Sequence, residues 1–481
     1  MKSGVVARGV RGILTRTLLS GAAVALAGAA MAADAPTNKM DAEVLKHFSA
    51  IVQMDSSDPP GNEKPVADYL VNAMKAEGIE VKTFAVKGQE HRPNVVARLK
   101  GSGKKKPLLL MGHTDTVNID PKKWKHGPFS AHREGGHIYG RGTVDDKDNV
   151  VAALMTMLDL KRRKVPLDRD VIFLAESGEE GATQYGIEFM VNEHFPEIEA
   201  EYCLAEGGNV SREGGKIKFA SVQTLEKIPR AIALKSTGVA GHGSIPLKSN
   251  AIVHLSGAVA RIADWQAPIK LNETTAAYFE RLATLSTPEN AARYRAILKP
   301  DSPEGKAAFQ YFLEHEPRHA SVLHTSLSPN MFNGGYRVNV IPSEATATVD
   351  TRVVPDEDPE WLLNEVRKVV NDPSVEVGWA PRNVRPAGTS RLNNEAFQTI
   401  EAAFKKHYNT VVLPTMSTGA TDMAYLRAKG IQCYGVGVAI DEEDGPLGYG
   451  IHSDQERIVE SELYRFVRWH IDATEQIARA R

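Results

Sequence analysis

The chain has 481 residues and nearly balanced charge, with 58 lysine and arginine against 60 aspartate and glutamate residues, for a formal net charge of −2. This length favours two or three domains. The balanced charge and the lack of a basic patch argue against a nucleic-acid-binding protein. The lysine cluster at residues 100–106 lies between two strand-like runs and is interpreted as a solvated turn.

Residues 1–32 have the pattern of a secretory signal peptide. A basic start precedes the apolar run at residues 18–30, and Ala30-Met31-Ala32 fits the small-x-small cleavage pattern. The run is too short and too rich in alanine and glycine for a good membrane span, with an uncleaved anchor as the alternative. We expect a periplasmic or secreted protein that has no stable membrane span after cleavage and a mildly acidic surface.

From about residue 40 to residue 225, helix-like and strand-like stretches alternate. The apolar periodicity predicts helices over residues 41–54, 65–77, 148–162 and 183–193. Strands are predicted over residues 94–99, 107–111, 170–175 and 201–205. This alternation favours an α/β fold with a mostly parallel sheet covered by helices.

The pattern changes near residue 228. Residues 230–237 and 344–353 alternate apolar and polar side chains, as in strands with one exposed face. Helices are expected over residues 250–265 and 358–371, a strand over 374–379, and a long polar, helix-prone stretch over 272–319. This set is interpreted as a separate α+β domain.

After about residue 383 the α/β pattern resumes. Helices are predicted over residues 393–407, 421–429 and 459–479, and a strand over 432–438. If His452, in this last part, joins His113 in one site, the middle domain is an insertion. The predicted boundaries are then residues 33–227 and 383–481 for the catalytic domain and residues 228–382 for the insertion.

The two cysteines, Cys203 and Cys433, both lie in apolar, strand-like segments. We predict two buried free thiols, although an exported protein is able to pair them. Neither has a cysteine or histidine at ligand spacing, so neither is a good candidate for a metal ligand.

Five acidic or imidazole positions lie at or just after the ends of strand-like runs. They are His113, Asp145, the pair Glu179–Glu180, Glu206 and His452. In an open α/β sheet, strand ends are where a site assembles. Two imidazoles and several carboxylates, without cysteine, suit zinc and similar divalent ions. The series therefore predicts a metal-dependent hydrolase.

Neighbouring residues give some of these positions distinct roles. Asp115 lies two residues after His113, and its carboxylate is suited to accept the second ring proton of a metal-ligating histidine. Asp145 has two oxygens with which to bridge two ions, with Asp146 in support. The alternative is that Asp146 or Asp148 caps the following helix.

The adjacent pair Glu179 and Glu180 suggests a division between a metal ligand and a general base. Taken alone, this segment also fits a solvated acidic turn. Glu206 directly follows an apolar strand and precedes two glycines, a position that favours a functional role.

The stretch HTDTVNIDPKKWKHGPFSAHREGGHIYGRGTVDDK, residues 113–147, resembles a family of zinc peptidases and deacylases. This family includes aminoacylase, acetylornithine deacetylase, succinyl-diaminopimelate desuccinylase and carboxypeptidase G. The resemblance extends over essentially the whole mature chain. It implies a phosphorylase/hydrolase-like catalytic domain with an inserted lid and dimerisation domain.

The resemblance also implies two zinc ions, for which cobalt or manganese would suit the same ligands. One ion would be bound by His113 and Glu206 and the other by Glu180 and His452. Asp145 would bridge them, with the Asp145–Asp146 peptide bond in the cis form. Glu179 corresponds to the general base and Asp115 to the carboxylate that orients His113.

Three residues of the insertion also match the family. His242 in AGHGS resembles a histidine that crosses the dimer interface and polarises the scissile carbonyl. Asn339 in NVIP and Arg352 in DTRVV match positions near the substrate or the oxyanion, and Arg352 is a candidate for holding a substrate carboxylate. The stretch 272–319 exceeds that of compact members and resembles a larger, carboxypeptidase-like branch, so the homodimer geometry and the role of His242 stay open.

The function implied is zinc-dependent hydrolysis of an amide bond in small peptides or N-acyl amino acids, of carboxypeptidase or dipeptidase type. A related two-zinc aminopeptidase is one alternative. A non-catalytic binding protein that retains the fold is another, against which the presence of Glu179 and every presumed ligand argues.

Overall fold

The computed structural model describes residues 36–381 and 384–480, so the predicted signal peptide lies outside the described residues. Within these ranges the α-helices are, in chain order, α1 (Lys39–Val52), α2 (Lys64–Ala76), α3 (Lys147–Arg162), α4 (Ile187–Glu193), α5 (Phe195–Ile198), α6 (Ala251–Asp264), α7 (Glu273–Leu285), α8 (Pro288–Ala296), α9 (Pro303–His315), α10 (Pro317–Ser321), α11 (Pro359–Val370), α12 (Glu395–Tyr408), α13 (Met423–Ala428), α14 (Asp444–Leu447) and α15 (Glu460–Ala478). The strands of the same ranges are β1 (Ser57–Asp58), β2 (Glu80–Phe84), β3 (Asn94–Leu99), β4 (Leu108–His113), β5 (Thr116–Val117), β6 (His132–Glu134), β7 (His137–Tyr139), β8 (Val171–Glu176), β9 (Tyr202–Ala205), β10 (Asn209–Glu213), β11 (Lys216–Glu226), β12 (Ile228–Thr237), β13 (Gly241–His242), β14 (Ser326–Gly334), β15 (Val340–Ile341), β16 (Glu344–Val353), β17 (Val375–Trp379), β18 (Val412–Ser417), β19 (Gln432–Gly435), β20 (Ala439–Asp441) and β21 (Arg457–Val459).

A ten-stranded sheet forms the centre of the molecule, in the order β2-β3-β8-β4-β9-β19-β11-β10-β20, with β18 also paired to β11. The strands β8, β4, β9 and β19 run parallel to one another. Antiparallel pairs flank this parallel centre, β2 with β3 and β3 with β8 on one side and β10 with β11 on the other. The α/β prediction is confirmed, but the sheet is mixed, because hairpins extend the parallel centre at both sides.

Helices cover both faces of this sheet, because its central strands alternate apolar side chains between two cores. One core holds Leu108 and Leu110 of β4 together with residues of α1, α3 and α15. The other holds Leu109 and Met111 of the same strand together with residues of α4 and α13. Strands buried on both faces are typical of parallel sheets in α/β proteins.

Cys203 and Cys433 are buried and unpaired, as predicted. They lie side by side on the neighbouring parallel strands β9 and β19. Burial, together with the adjacent Cys433, raises the pKa of the Cys203 thiol well above its usual range, which keeps it protonated.

A second, four-stranded sheet lies within the predicted insertion, in the order β14-β16-β12-β17. All its pairs are antiparallel. The helices α6 and α11 cover one face and enclose a core that includes Leu255 and Val349. Strand β14 is largely exposed and lies at the edge of this sheet.

The helices α7 to α10, which we call the helical segment, extend from Glu273 to Ser321 and occupy the stretch 272–319 that was predicted to be helix-prone. Phe279 and Phe312 of this segment pack with Leu413 of β18 in one hydrophobic cluster. Arg281 forms an ion pair of 2.5 Å with Glu401 and donates a hydrogen bond of 2.7 Å to the carbonyl of Val412. The helical segment therefore packs against the central sheet, and the domain boundaries at residues 228 and 382 stay a prediction.

Among the described residues, no helix combines the length and the apolar character that crossing a bilayer requires.

Candidate metal centre

Three adjacent parallel strands bring the predicted site residues together at their carboxyl ends. His113 is the last residue of β4, Glu179 and Glu180 lie in the turn after β8, and Glu206 directly follows β9. Because β4 lies between β8 and β9 in the sheet, these side chains converge on one edge. Such convergence at strand ends was the basis of the sequence prediction.

Asp145 lies between the two imidazoles of the cluster. Its Oδ1 is 2.9 Å from Nε2 of His113, and its Oδ2 is 3.0 Å from Nε2 of His452. Glu206 Oε2 lies 3.9 Å from Nε2 of His113, and Glu180 Oε1 lies 3.2 Å from Nε2 of His452. Each imidazole thus shares Asp145 and has a glutamate of its own, which is the pairing that the family resemblance implies.

The Asp145–Asp146 peptide bond is cis, as the resemblance implied. Asp146 Oδ2 accepts a hydrogen bond of 3.1 Å from the main-chain N–H of His113, and Oδ1 accepts one of 2.6 Å from Asn149. Asp146 occupies the N-cap position of α3 but makes no capping hydrogen bond. Its carboxylate therefore connects the main chain of His113 to the side chain of Asn149 on α3.

Asp115 is fully buried and connects two parts of the cluster. Its Oδ1 lies 3.4 Å from Nδ1 of His113, and its main-chain carbonyl lies 3.1 Å from the same nitrogen. Its carboxylate also accepts hydrogen bonds of 3.2 and 3.0 Å from the main-chain N–H groups of Glu179 and Glu180. Asp115 thus holds the acidic turn next to the imidazole, a role wider than the orienting one predicted.

The Glu179 carboxyl is buried and lies next to the charged residues Asp422 and Arg385. Burial, together with the charge of Asp422, raises the pKa of the Glu179 carboxyl well above its usual range. Arg385 Nη1 donates a hydrogen bond of 3.3 Å to Glu179 Oε1 and one of 3.0 Å to Asp422 Oδ1. A carboxyl with a raised pKa and a fixed position is suited to accept and return a proton.

Two contacts of the cluster were missed from the sequence. One is the bridge from Arg385 to Glu179 and Asp422 described above. The other is Glu456, which is fully buried and accepts hydrogen bonds from the main-chain N–H groups of Gly142 and Val144 and from the Arg141 guanidinium. Glu456 thereby shapes the loop that carries Asp145. The sequence signal that could have identified Glu456 is its position four residues after the predicted ligand His452.

The three predicted residues of the insertion lie apart from the cluster. His242 is exposed, and its Nδ1 lies 2.7 Å from Oγ of Ser244. Asn339 is also exposed, and its carbonyl accepts a hydrogen bond from the N–H of Gly243. In the described part of the chain, neither side chain makes a hydrogen bond or ion pair with the five predicted metal ligands. Arg352 reaches the catalytic region through a hydrogen bond of 3.4 Å to the carbonyl of Thr418.

The donor set fits divalent metal ions. One triad of donor atoms within 4.8 Å of one another comes from His113, Asp145 and Glu180, and another from His113, Glu179 and Glu206. Two ligands at about 2.1 Å from a tetrahedral zinc ion are about 3.4 Å apart, close to the separations found here. Hydrogen bonds to Asp145 and Glu180 also raise the pKa of His452 to about 10. The surroundings are therefore negative enough to favour a cation.

The chain is similar in sequence to known proteins. Probable carboxypeptidase S-like 2 of Dictyostelium discoideum is 31% identical over 326 residues, which cover 66% of this chain and 62% of that protein. The human N-fatty-acyl-amino acid synthase/hydrolase PM20D1 is 28% identical over 331 residues, covering 66% of this chain and 64% of that protein. The chain thus spans slightly less than two thirds of the length of these two relatives.

The fold is also found among solved structures. The M20 family metallo-carboxypeptidase Sso-CP2 from Sulfolobus solfataricus superposes with a TM-score of 0.63 at 18% identity, covering 91% of this chain and 98% of that one. Residues 109–476 match the family described as Peptidase family M20/M25/M40. This match covers more than half of the chain and includes all five predicted metal ligands. The chain therefore belongs to peptidase family M20/M25/M40.

Proposed function

We propose that this protein hydrolyses amide bonds of small peptides or N-acyl amino acids with the help of two zinc ions. The observation that carries the proposal is the Asp145 carboxylate, whose two oxygens contact the imidazoles of His113 and His452 at 2.9 and 3.0 Å. His113 and Glu206 would hold one ion and Glu180 and His452 the other, with Asp145 shared.

When bound, zinc ions in such a site act as Lewis acids that polarise a carbonyl and lower the pKa of water. The raised pKa of Glu179 supports its role as the base that takes a proton from the attacking water. The same carboxyl then returns the proton to the leaving nitrogen. Arg385 and the main-chain contact with Asp115 hold Glu179 in position for both transfers.

The exposed residues of the insertion support a homodimer. Among the described residues, strand β14 is paired along one edge only, and unpaired edges invite pairing with another chain. Four large apolar side chains on or near this strand are exposed: Met331, Phe332, Tyr336 and Val338. We assign His242 to the site of the partner chain, where it would polarise the scissile carbonyl, and Asn339 and Arg352 to substrate contacts.

We propose export to the periplasm or the medium, which the signal-like pattern of residues 1–32 supports. Scavenging of peptides is the process that best suits an exported amide hydrolase. Fractionation of cells that express the full chain tests the location, and recovery in the cytoplasm would overturn it.

The substrate experiment uses zinc-loaded protein on dipeptides with free amino ends and on N-acetyl amino acids. Cleavage of N-acetyl amino acids together with dipeptides, lost on removal of zinc, is the expected result. Cleavage restricted to free amino ends would instead favour the two-zinc aminopeptidase. Binding of these compounds without cleavage of any would favour the non-catalytic binding protein.

A further inference from the structure

A cavity of about 550 Å³ lies between the helical segment and the central sheet. Its walls come from α7, α10 and β18, together with Gly207 and the residues that directly follow α10 and β18. This volume falls within the range of about 300–1,000 Å³ that small-molecule sites occupy. The cavity therefore has room for the side chain of an amino acid.

The cavity adjoins one predicted metal ligand and the main chain that Arg352 contacts. Gly207, which lines it, directly follows the predicted ligand Glu206. Thr418, which also lines it, accepts the hydrogen bond from Arg352 through its carbonyl. The cavity thus lies between a predicted zinc ligand and the arginine proposed to hold a substrate carboxylate. A residue whose α-carboxylate is held by Arg352 would have this cavity within reach of its side chain.

The charge of the cavity comes from Arg318 of α10, which lines it and is exposed. In the described ranges, Arg318 forms no ion pair with a carboxylate. The nearby Glu316 is already engaged, since its Oε2 lies 2.5 Å from Nδ1 of His319 and 3.1 Å from the hydroxyl of Tyr294. The guanidinium of Arg318 is therefore available to an anionic ligand.

The remaining walls suit the stem of an acidic side chain. Val322 and Met416 line the cavity and belong to one small apolar cluster. The hydroxyl of Tyr278, 3.0 Å from Nε2 of His319, also lines the cavity. Tyr278 and Val322 also pack against the cluster of Phe279 and Phe312 that joins the segment to the sheet, so these two walls are held in place.

We propose that this cavity is the side-chain subsite for the C-terminal residue of the substrate, and that Arg318 gives it a preference for glutamate or aspartate. This inference rests on the proposed function for its orientation, since Arg352 would hold the α-carboxylate. Glutamine is the matched neutral ligand, because it has nearly the same shape as glutamate and lacks the charge. A charge-assisted hydrogen bond predicts about a tenfold preference for glutamate.

The test measures binding of free glutamate and glutamine to zinc-loaded protein by calorimetry, and hydrolysis of N-acetyl-glutamate and N-acetyl-glutamine. The variant is Arg318→Gln, and the matched control is Arg295→Gln, an exposed arginine of the same segment that does not line the cavity. We expect the wild type and the control to prefer glutamate about tenfold in both measurements. The Arg318→Gln variant is expected to lose this preference without losing its affinity for glutamine.

A wild type without the preference, or an Arg318→Gln variant that keeps it, would overturn the subsite. Absence of hydrolysis of every N-acetyl amino acid and dipeptide would instead overturn the proposed function. In that case the calorimetric comparison of glutamate with glutamine still decides whether Arg318 forms an acidic subsite. Circular dichroism of both variants verifies that they are folded.

Discussion

The carboxyl edge of the central sheet and the insertion differ in how firmly they hold their predicted functional residues. At the sheet edge, buried Asp115 and Asp146 accept hydrogen bonds from the main chain of the residues that carry the cluster. In the insertion, His242 and Asn339 are exposed, and they form hydrogen bonds with the nearby residues Ser244 and Gly243. The difference indicates that the predicted metal ligands are organised within one chain, whereas the residues proposed to bind the carbonyl would need a substrate or a second chain to complete their site.

The largest expected effect is on the base at the sheet edge. Glu179→Ala should lower kcat by about 10²–10⁴-fold, because it removes proton transfer in both directions. Zinc content should stay at the wild-type level, since the proposed ligands are retained. Steady-state kinetics and elemental analysis measure the two quantities, with the exposed Glu193→Ala on α4 as control. Near-normal turnover of Glu179→Ala would show that another group is the base.

The next largest effect is expected from substitution of a proposed metal ligand. His452→Ala should lower the zinc content, because one ion loses its imidazole while the other keeps His113 and Glu206. The side chain of His452 is 50% exposed and that of His113 is 1% exposed. The His452 variant should therefore fold normally, and His113→Ala should also reduce the melting temperature. Unchanged zinc content in purified His452→Ala, measured by elemental analysis, would exclude this residue as a ligand.

Mixing two inactive variants tests whether the insertion acts across a dimer. His242→Ala should lower kcat by about 10²–10³-fold if it polarises the carbonyl. In a mixed dimer of Glu179→Ala and His242→Ala chains, one of the two sites combines an intact Glu179 with an intact His242 from the partner. Random exchange between symmetric dimers should restore about a quarter of the wild-type activity.

Restoration of activity requires that chains exchange between dimers. The controls are each variant assayed alone and the two variants assayed together before their chains have exchanged. Size-exclusion chromatography with light scattering establishes the oligomeric state. A dimer that exchanges chains and recovers no activity would place His242 in the site of its own chain.

The smallest effect concerns Arg385, which holds Glu179 from outside the ligand set. Arg385→Ala should reduce kcat by about 10–100-fold, in the range seen for residues that support metal sites. The positive charge of Arg385 lowers the pKa of Glu179 against the opposing effect of burial. Removal of Arg385 should raise the pKa of Glu179, so that the base is already protonated at a higher pH than in the wild type. The acidic limb of the pH–rate profile should therefore shift to higher pH. Arg385→Lys should partly restore both, and an unmoved profile would limit Arg385 to a structural role.

The local pattern was informative for His113, Glu180 and Glu206, which lie at or just after the ends of buried strands. Asp145 and His452 lie in turns that do not directly follow an apolar strand, and their roles were implied by the family resemblance.

The sequence was insufficient for strand β14, which contains Pro329, lies at a sheet edge and is too exposed to show apolar alternation. Strand β18 was missed as well, since Pro414 interrupts its apolar run. Pairing with a buried neighbour, in this case β11, supplies stability that a local pattern does not reveal.

Long-range contacts account for what was missing at the site. Arg385 lies in a segment without a predicted element, and it reaches Glu179 over 206 positions in the chain. Similarly, the sequence of the helical segment predicted helices but did not show which surface they pack against. In the structure, that surface is the face of β18 that carries Leu413. Local propensity determines the elements, whereas the identity of the surfaces they cover depends on the complete tertiary packing.

The most direct measurement of the central claim is anomalous diffraction at the zinc edge from crystals of the zinc-loaded protein. The proposed site predicts two anomalous peaks on either side of the Asp145 carboxylate. One should lie next to His113 and Glu206 and the other next to His452 and Glu180. The absence of any peak at Asp145 in fully active, zinc-loaded protein would contradict the two-zinc centre.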